Sequence, residues 1–201
     1  MRIVVVGASG TIGQAVVRLL ALDHDIVPVG RTTGQYRVDL AVRESIEALF
    51  ATLGPIDAVV SAAGEARFGE LDKLTDADFA FSLGNKLMGQ INLVRIGHPF
   101  VGAGGSFTLT SGVLAHHPMV GSAAISLVNA GIEGFARAAA LELPRGIRIN
   151  VVSPPWVTET LQAMGMATAH GLPAERVALA YRASVEGAAS GETLDPRLVT
   201  Q

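Results

Sequence analysis

Short, uninterrupted apolar stretches alternate along this chain with longer stretches whose apolar positions recur every three or four residues. Residues 3–6 (IVVV) are the first of the short ones. A β-branched run with no polar positions suits a strand covered on both faces, as in a parallel sheet. Residues 14–22 (QAVVRLLAL) follow at helical spacing. The alternation continues, and the pattern predicts strands over 25–30, 36–38, 56–60, 106–110 and 147–152. It predicts helices over 42–53, 122–143 and 173–185, and a short edge strand over 192–194. Residues 72–95 read as a helix in two pieces, broken near Gly84, with Thr75 as N-cap and Asp76 and Asp78 in the first turn. Strands and helices taking turns in this way predict an α/β fold. The sheet is doubly wound and parallel, with helices on both faces, in a single domain over 1–201.

The residues between these elements carry the chemistry. The first strand runs into GASGTIG, with Gly7, Gly10 and Gly13 spaced for a turn that opens a helix. Gly7 serves the tight turn, Gly10 lets backbone approach a pyrophosphate, and Gly13 lets helix approach strand. The free N–H groups at the helix start, around Ser9, Thr11 and Ile12, then face the phosphates. The expected fold is therefore of the Rossmann type; the bland alternative is a plain strand–turn–helix corner. Arg31 and Thr32 stand just past the second strand, where the adenosine ribose arrives in such a sheet. An arginine there suits the extra phosphate of NADP(H), so NADP(H) is preferred over NAD(H); otherwise Arg31 is a solvated loop cation. The fourth strand ends in Ala62, Ala63 and Gly64, small enough for a flat ligand to lie on the backbone. The fifth ends in Ser111, and Ser153-Pro154-Pro155-Trp156 makes a rigid loop after the sixth.

Composition narrows the field. Of 201 residues, 49 % are apolar and 16 % charged, and the formal net charge is −3. A large core is affordable, and nothing favours nucleic acid or an anionic membrane as partner. Without cysteine there is no disulfide, thiolate nucleophile or cysteine zinc site. The five histidines show no metal-ligand spacing. No apolar run reaches a membrane span, and the chain begins on a core strand without a signal peptide ahead of it, so a cytoplasmic protein is expected. Small-residue faces over 86–97 and 122–143 point to a homodimer or homotetramer through paired helices.

Taken in order, these segments resemble the short-chain dehydrogenase/reductase family over nearly the whole chain. GASGTIG is similar to its GASxGIG loop, with the glycine and threonine at 10 and 11 exchanged. Arg31 matches its NADP-type arginine, and Asp39 and Leu40 match the acid and apolar residue that flank adenine. SAAG at 61–64 resembles its NNAG, and LTSG around Ser111 the strand that ends in the catalytic serine. GIEGFARAAALEL at 131–143 is similar to its AVEGLTRSLALEL helix. IRINVVSPPWVTET resembles IRVNAVSPGPVxT, which implies that Pro154, Val157 and Thr158 lie by the nicotinamide. After Thr158, where the family carries a substrate-covering segment and further C-terminal structure, the chain is short.

The resemblance implies a catalytic Asn, Ser, Tyr and Lys, and three of the four are replaced. Ile125 stands at the tyrosine position, Asn129 at the lysine position and Lys86 at the asparagine position, with Asn85 one residue away. Ile125 supplies no proton. Ser111 can bond a carbonyl oxygen but is a poor acid by itself. Lys86 can donate a proton or stabilise an oxyanion if burial lowers its pKa; alternatively it snorkels to solvent or a backbone carbonyl. Asn129 faces the nicotinamide ribose or fills a buried polar gap. His116 and His117 are further candidate acids, or merely solvated loop residues. Met119 and Trp156 are pocket wall or core. Three readings follow: a reductase of a small carbonyl or imine using Ser111 with Lys86 or a histidine, a non-catalytic NADP(H)-binding sensor or scaffold, and a nucleotide-free structural relic, against which the intact glycine loop and Arg31 count. An iminium substrate, already cationic, needs no proton donor.

Overall fold

The computed structural model describes residues 1–200. Its centre is β1 (Arg2–Val6), flanked by β2 (Asp25–Gly30) on one side and β4 (Ile56–Ser61) on the other. β3 (Tyr36–Arg37) lies outside β2. Beyond β4 come β5 (Val101–Thr110), β6 (Arg148–Val152) and β7 (Thr193–Leu194). The order is β3-β2-β1-β4-β5-β6-β7, and every pairing is parallel. The winding reverses between β1 and β4, and the crevice at that reversal is where such sheets take ligands.

β1 shows why its sequence is wholly apolar. Ile3 and Val5 pack into one layer with α1 (Thr11–Leu20) and α7 (Ala174–Glu186). Val4 and Val6 pack into the other, with α2 (Arg43–Leu53), α4 (Gly89–Gly97) and α5 (Ala123–Glu142). The two-residue period of a strand thus sends alternate side chains to two buried faces. No helix among the described residues is long and apolar enough to cross a membrane.

Several boundaries differ from the pattern-based expectation. α1 begins at Thr11, because the backbone enters the helix directly from Gly10. β5 starts at Val101; its glycine-rich opening passes an irregularity in pairing with β4 between Ile56 and Ala58, and carries no apolar signal. α6 (Thr158–Ala163) is a short helix that the polar sequence TETLQA did not advertise. The expected division near Gly84 is present as a π-helical turn and not as a break in the helical path. α3 (Asp76–Ser82) opens with the anticipated Thr75 cap, a full capping box with Asp78. It passes through a π-helical turn over Leu83–Met88 directly into α4. A π turn accommodates one extra residue without ending the helix.

Candidate active site

Gly7 has φ 83°, and a Cβ there would lie 2.6 Å from the Ala62 carbonyl oxygen, while one on Gly13 would collide with the Gly7 carbonyl oxygen. The turn and the seating of α1 on the sheet therefore both depend on glycine. Gly10 is different: a Cβ there would meet only the Gly7 carbonyl oxygen, at an ordinary contact distance of 3.4 Å, and it borders a cavity of about 380 Å³. Gly7, Ser9, Arg31, Thr32, Asp39, Leu40, Ala62, Ala63 and Gly64 line the same cavity, so loops from four strands converge there. A glycine cradle whose backbone faces a cavity at the switch point fits a dinucleotide. Thr11 and Gly13 lie in α1, outside the cavity wall. Arg31 ion-pairs with Glu65 at 3.2 Å, and each side chain is 59 % exposed. This pairing was not anticipated from sequence.

Ala62, Ala63 and Gly64 also wall a second cavity, of about 290 Å³. Its floor is polar: Ser111, Lys86 and Asn129 all reach it. Its sides are apolar, formed by Ile12, Leu114, Ile125, Trp156 and Val157 with Pro154 and Pro155. Trp156 is thus wall, whereas Met119 is about half exposed and lies outside it. Thr158 heads α6 and packs against Gly171, and Thr160 reaches the cavity instead. The two tyrosines are elsewhere: Tyr36 is in β3, and Tyr181 is buried with its hydroxyl 2.6 Å from Thr110 Oγ1.

The π turn explains the ambiguity between Asn85 and Lys86. Both point at the sheet ends. Asn85 Oδ1 accepts from the Glu65 amide at 2.7 Å and borders the glycine-loop cavity. Lys86 Nζ donates to the Ser111 carbonyl at 3.3 Å and borders the other. Gly64 has φ 114°, and a Cβ there would come within 3.0 Å of Lys86 Cγ, so the glycine makes room for this lysine. Of the two lysines in the chain, Lys73 pairs with Asp72 in exposed surroundings. Lys86 is part-buried on the cavity floor, and desolvation there lowers its pKa from 10.5 to about 8.

Ser111 is set by a partner that the sequence reading overlooked. Gln90 on α4 clamps both backbone groups of Thr110, accepting from its N–H at 2.8 Å and donating to its C=O at 2.9 Å. Its neighbour Ser111 then projects its hydroxyl onto Glu133, donating to Oε1 at 2.7 Å. The other carboxylate oxygen lies 2.6 Å from His116 Nε2. Glu133 is buried in α5, its side chain 2 % exposed, while that of His116 is 61 % exposed. Only the acid's place on the buried face of α5, one turn beyond Asn129, could have flagged it. Asn129 is itself 1 % exposed; its Nδ2 donates to the Gly112 carbonyl at 3.4 Å, and its Oδ1 has no partner. His117 lies away from this cavity.

A family model described as enoyl-(acyl carrier protein) reductase matches residues 7–186. The chain belongs to the short-chain dehydrogenase/reductase family. A 3-oxoacyl-[acyl-carrier-protein] reductase of Mus musculus is 29 % identical over 174 residues, 76 % of this chain and 74 % of that protein. The solved structure of lin1944 from Listeria innocua superposes with a TM-score of 0.94 at 40 % identity, covering 97 % of this chain and 98 % of that one. A small-chain dehydrogenase solved in complex with NADPH has the same fold, with a TM-score of 0.86 at 24 % identity over 97 % and 95 % of the two chains. This short-chain dehydrogenase/reductase therefore carries the family's sheet beside a cavity lined by Ser111, Lys86, Ile125 and Asn129.

Proposed function

We propose that this protein is an NADP(H)-dependent oxidoreductase acting on a small carbonyl or imine. The observation that carries the reading is the meeting of Ser111 and Lys86 on the polar floor of an apolar cavity that shares a wall with the glycine-loop cavity. In the nucleotide cradle, Gly7, Ser9 and Gly10 would hold the pyrophosphate, Asp39 and Leu40 the adenine, and Arg31 with Thr32 the additional phosphate of NADP(H). Asn129, with an acceptor oxygen buried beside the cavity and unpaired, suits a ribose hydroxyl. Pro154 and Val157 would back the nicotinamide.

When bound, the nicotinamide supplies or accepts hydride. The chain's own task is to handle the charge that collects on the substrate oxygen. Lys86 with a pKa near 8 is mostly cationic at neutral pH, and its charge in a poorly solvated cavity stabilises such an oxyanion. The Ser111 hydroxyl donates to the same atom once Glu133 no longer holds its proton. The apolar walls suit a substrate with a compact hydrocarbon body.

A cytoplasmic homodimer or homotetramer completes the reading. The assembly, not the location, draws support from a groove of about 540 Å³ between α4 and α5, lined by Val94, Phe135, Ala138 and Ala139 together with Arg95 and Glu142. A second reading, a sensor or scaffold that binds NADP(H) without turning over, is favoured by the replacement of the proton-donating tyrosine with Ile125. NADPH oxidation over a panel of small aldehydes, ketones and cyclic imines separates the two. Turnover that vanishes in Lys86→Ala while NADPH still binds supports catalysis; NADPH binding without turnover on any member supports the sensor.

A further inference from the structure

The Ser111 hydroxyl proton is committed to Glu133, 2.7 Å away. It is therefore not free for a substrate oxygen unless Glu133 gives a proton back. Glu133 is buried, yet its second oxygen is 2.6 Å from a histidine whose side chain is largely in solvent. The three groups form an unbroken line from the cavity floor, through the core of α5, to the outside.

We propose that Ser111, Glu133 and His116 form a proton relay that feeds the substrate oxygen from solvent, in place of the tyrosine that this chain lacks. The proposal rests on the reductase reading. In the reducing direction, the substrate carbon gains hydride from a reduced nicotinamide dinucleotide and the C=O π pair moves to oxygen. That oxygen takes the Ser111 Oγ proton. Ser111 takes its replacement proton from Glu133, whose carboxylate has first been protonated by His116 Nε2 and has turned to present that proton from the oxygen facing Ser111; solvent then replaces the proton on His116. The sum consumes one hydride and one solvent proton per carbonyl, and every relay group returns to its starting state. A carboxyl group suits the middle position because it accepts at one oxygen and donates at the other.

The surroundings match this use. Lys86 approaches Ser111 from the π turn but bonds its carbonyl oxygen, leaving the hydroxyl to Glu133. On the outer side, His116 borders a cavity of about 250 Å³ with His117, Ser153, Thr193, Asp195 and Arg197. Asp195 and Arg197 are paired with each other, so neither ties up the His116 ring. Glu133 and His116 act through Ser111 and touch no substrate; Ser111 is the catalytic member.

The test uses the full chain. NADPH oxidation is followed across pH with phenanthrenequinone as carbonyl probe, in wild type, Glu133→Gln, His116→Ala and the control His117→Ala. Glutamine keeps an acceptor for Ser111 or His116 but relays no proton, so a merely structural role survives in it. The relay predicts that kcat falls about tenfold or more in Glu133→Gln and His116→Ala, at the low end of what a general acid contributes, with KM nearly unchanged. It predicts a flattened pH profile in His116→Ala, partial rescue by free imidazole, and wild-type behaviour in His117→Ala. The second readout needs no turnover: in protein labelled with nitrogen-15 at histidine, the His116 Nε2 resonance should move in Glu133→Gln. An unmoved resonance overturns the relay. Wild-type rates in both variants also overturn it and leave Lys86 as the acid. No turnover in wild type on any carbonyl or imine removes the reductase reading, and the relay with it. His116 is a surface side chain, so its variant keeps the test open if Glu133→Gln fails to fold.

Discussion

Replacing Lys86 with methionine should stabilise the protein while disabling it. Methionine fills much the same volume but carries no charge into the cavity. Burial lowers the lysine pKa from 10.5 to about 8, which corresponds to a cost of about 3 kcal/mol for keeping it charged in the folded state. The sign follows from the direction of the shift. Between pH 8 and 10.5 the unfolded chain binds more protons, so the cost is complete below about pH 8 and fades as pH rises toward 10.5. Against it stands the one hydrogen bond of the amine, to the Ser111 carbonyl at 3.3 Å, worth about 1 kcal/mol. Lys86→Met should thus gain about 2 kcal/mol at pH 7, and the gain should shrink nearly to zero by about pH 9.5. Urea unfolding of both proteins at the two pH values measures it. A variant that is less stable at pH 7 by a pH-independent amount would refute the reasoning, because the amine would then be solvated and the lysine merely snorkelling.

Glu65→Ala should tighten NADPH binding about two- to fivefold, since the Glu65 carboxylate 3.2 Å from Arg31 both occupies the guanidinium and repels a phosphate; titration of NADPH fluorescence reads the change, and NADH should be unaffected. Gly13→Ala should cost about 3 kcal/mol or more, visible as a lower urea midpoint, because its Cβ collides with the Gly7 carbonyl. Light scattering should return a dimer or tetramer mass, and Leu141→Lys, on the exposed outer side of α5, should weaken that assembly if α5 is the paired helix.

The sheet was legible because its code is local. The IVVV run, the glycine turn and the helical spacing after it need nothing distant to be read; β1 lies where they indicate, and α1 overlaps the expected helix but runs from Thr11 to Leu20. Arg31 and Ser111 were legible as candidates because each stands at the end of a recognisable strand, and Lys86 because the family resemblance places it at the asparagine position. What escaped was whatever depends on a partner far along the chain. Glu133 sits in an alanine-rich helix and becomes notable only when Ser111, 22 residues earlier, is found to donate to it. Gln90 reads as an ordinary helix residue until it clamps Thr110. Glu65 gains meaning only from Arg31. The π turn at Leu83–Met88 carries no compositional mark beyond Gly84, yet it decides that Asn85 and Lys86 both face the site.

The most direct measurement is the binding of NADPH and NADH to the purified protein, wild type and Arg31→Ala, by fluorescence. NADPH should bind at least about tenfold more tightly than NADH, and that advantage should disappear in Arg31→Ala, as expected for the loss of a charge-assisted contact to phosphate. Binding of neither nucleotide would reduce the glycine loop to a corner of the fold and contradict the assignment of this site.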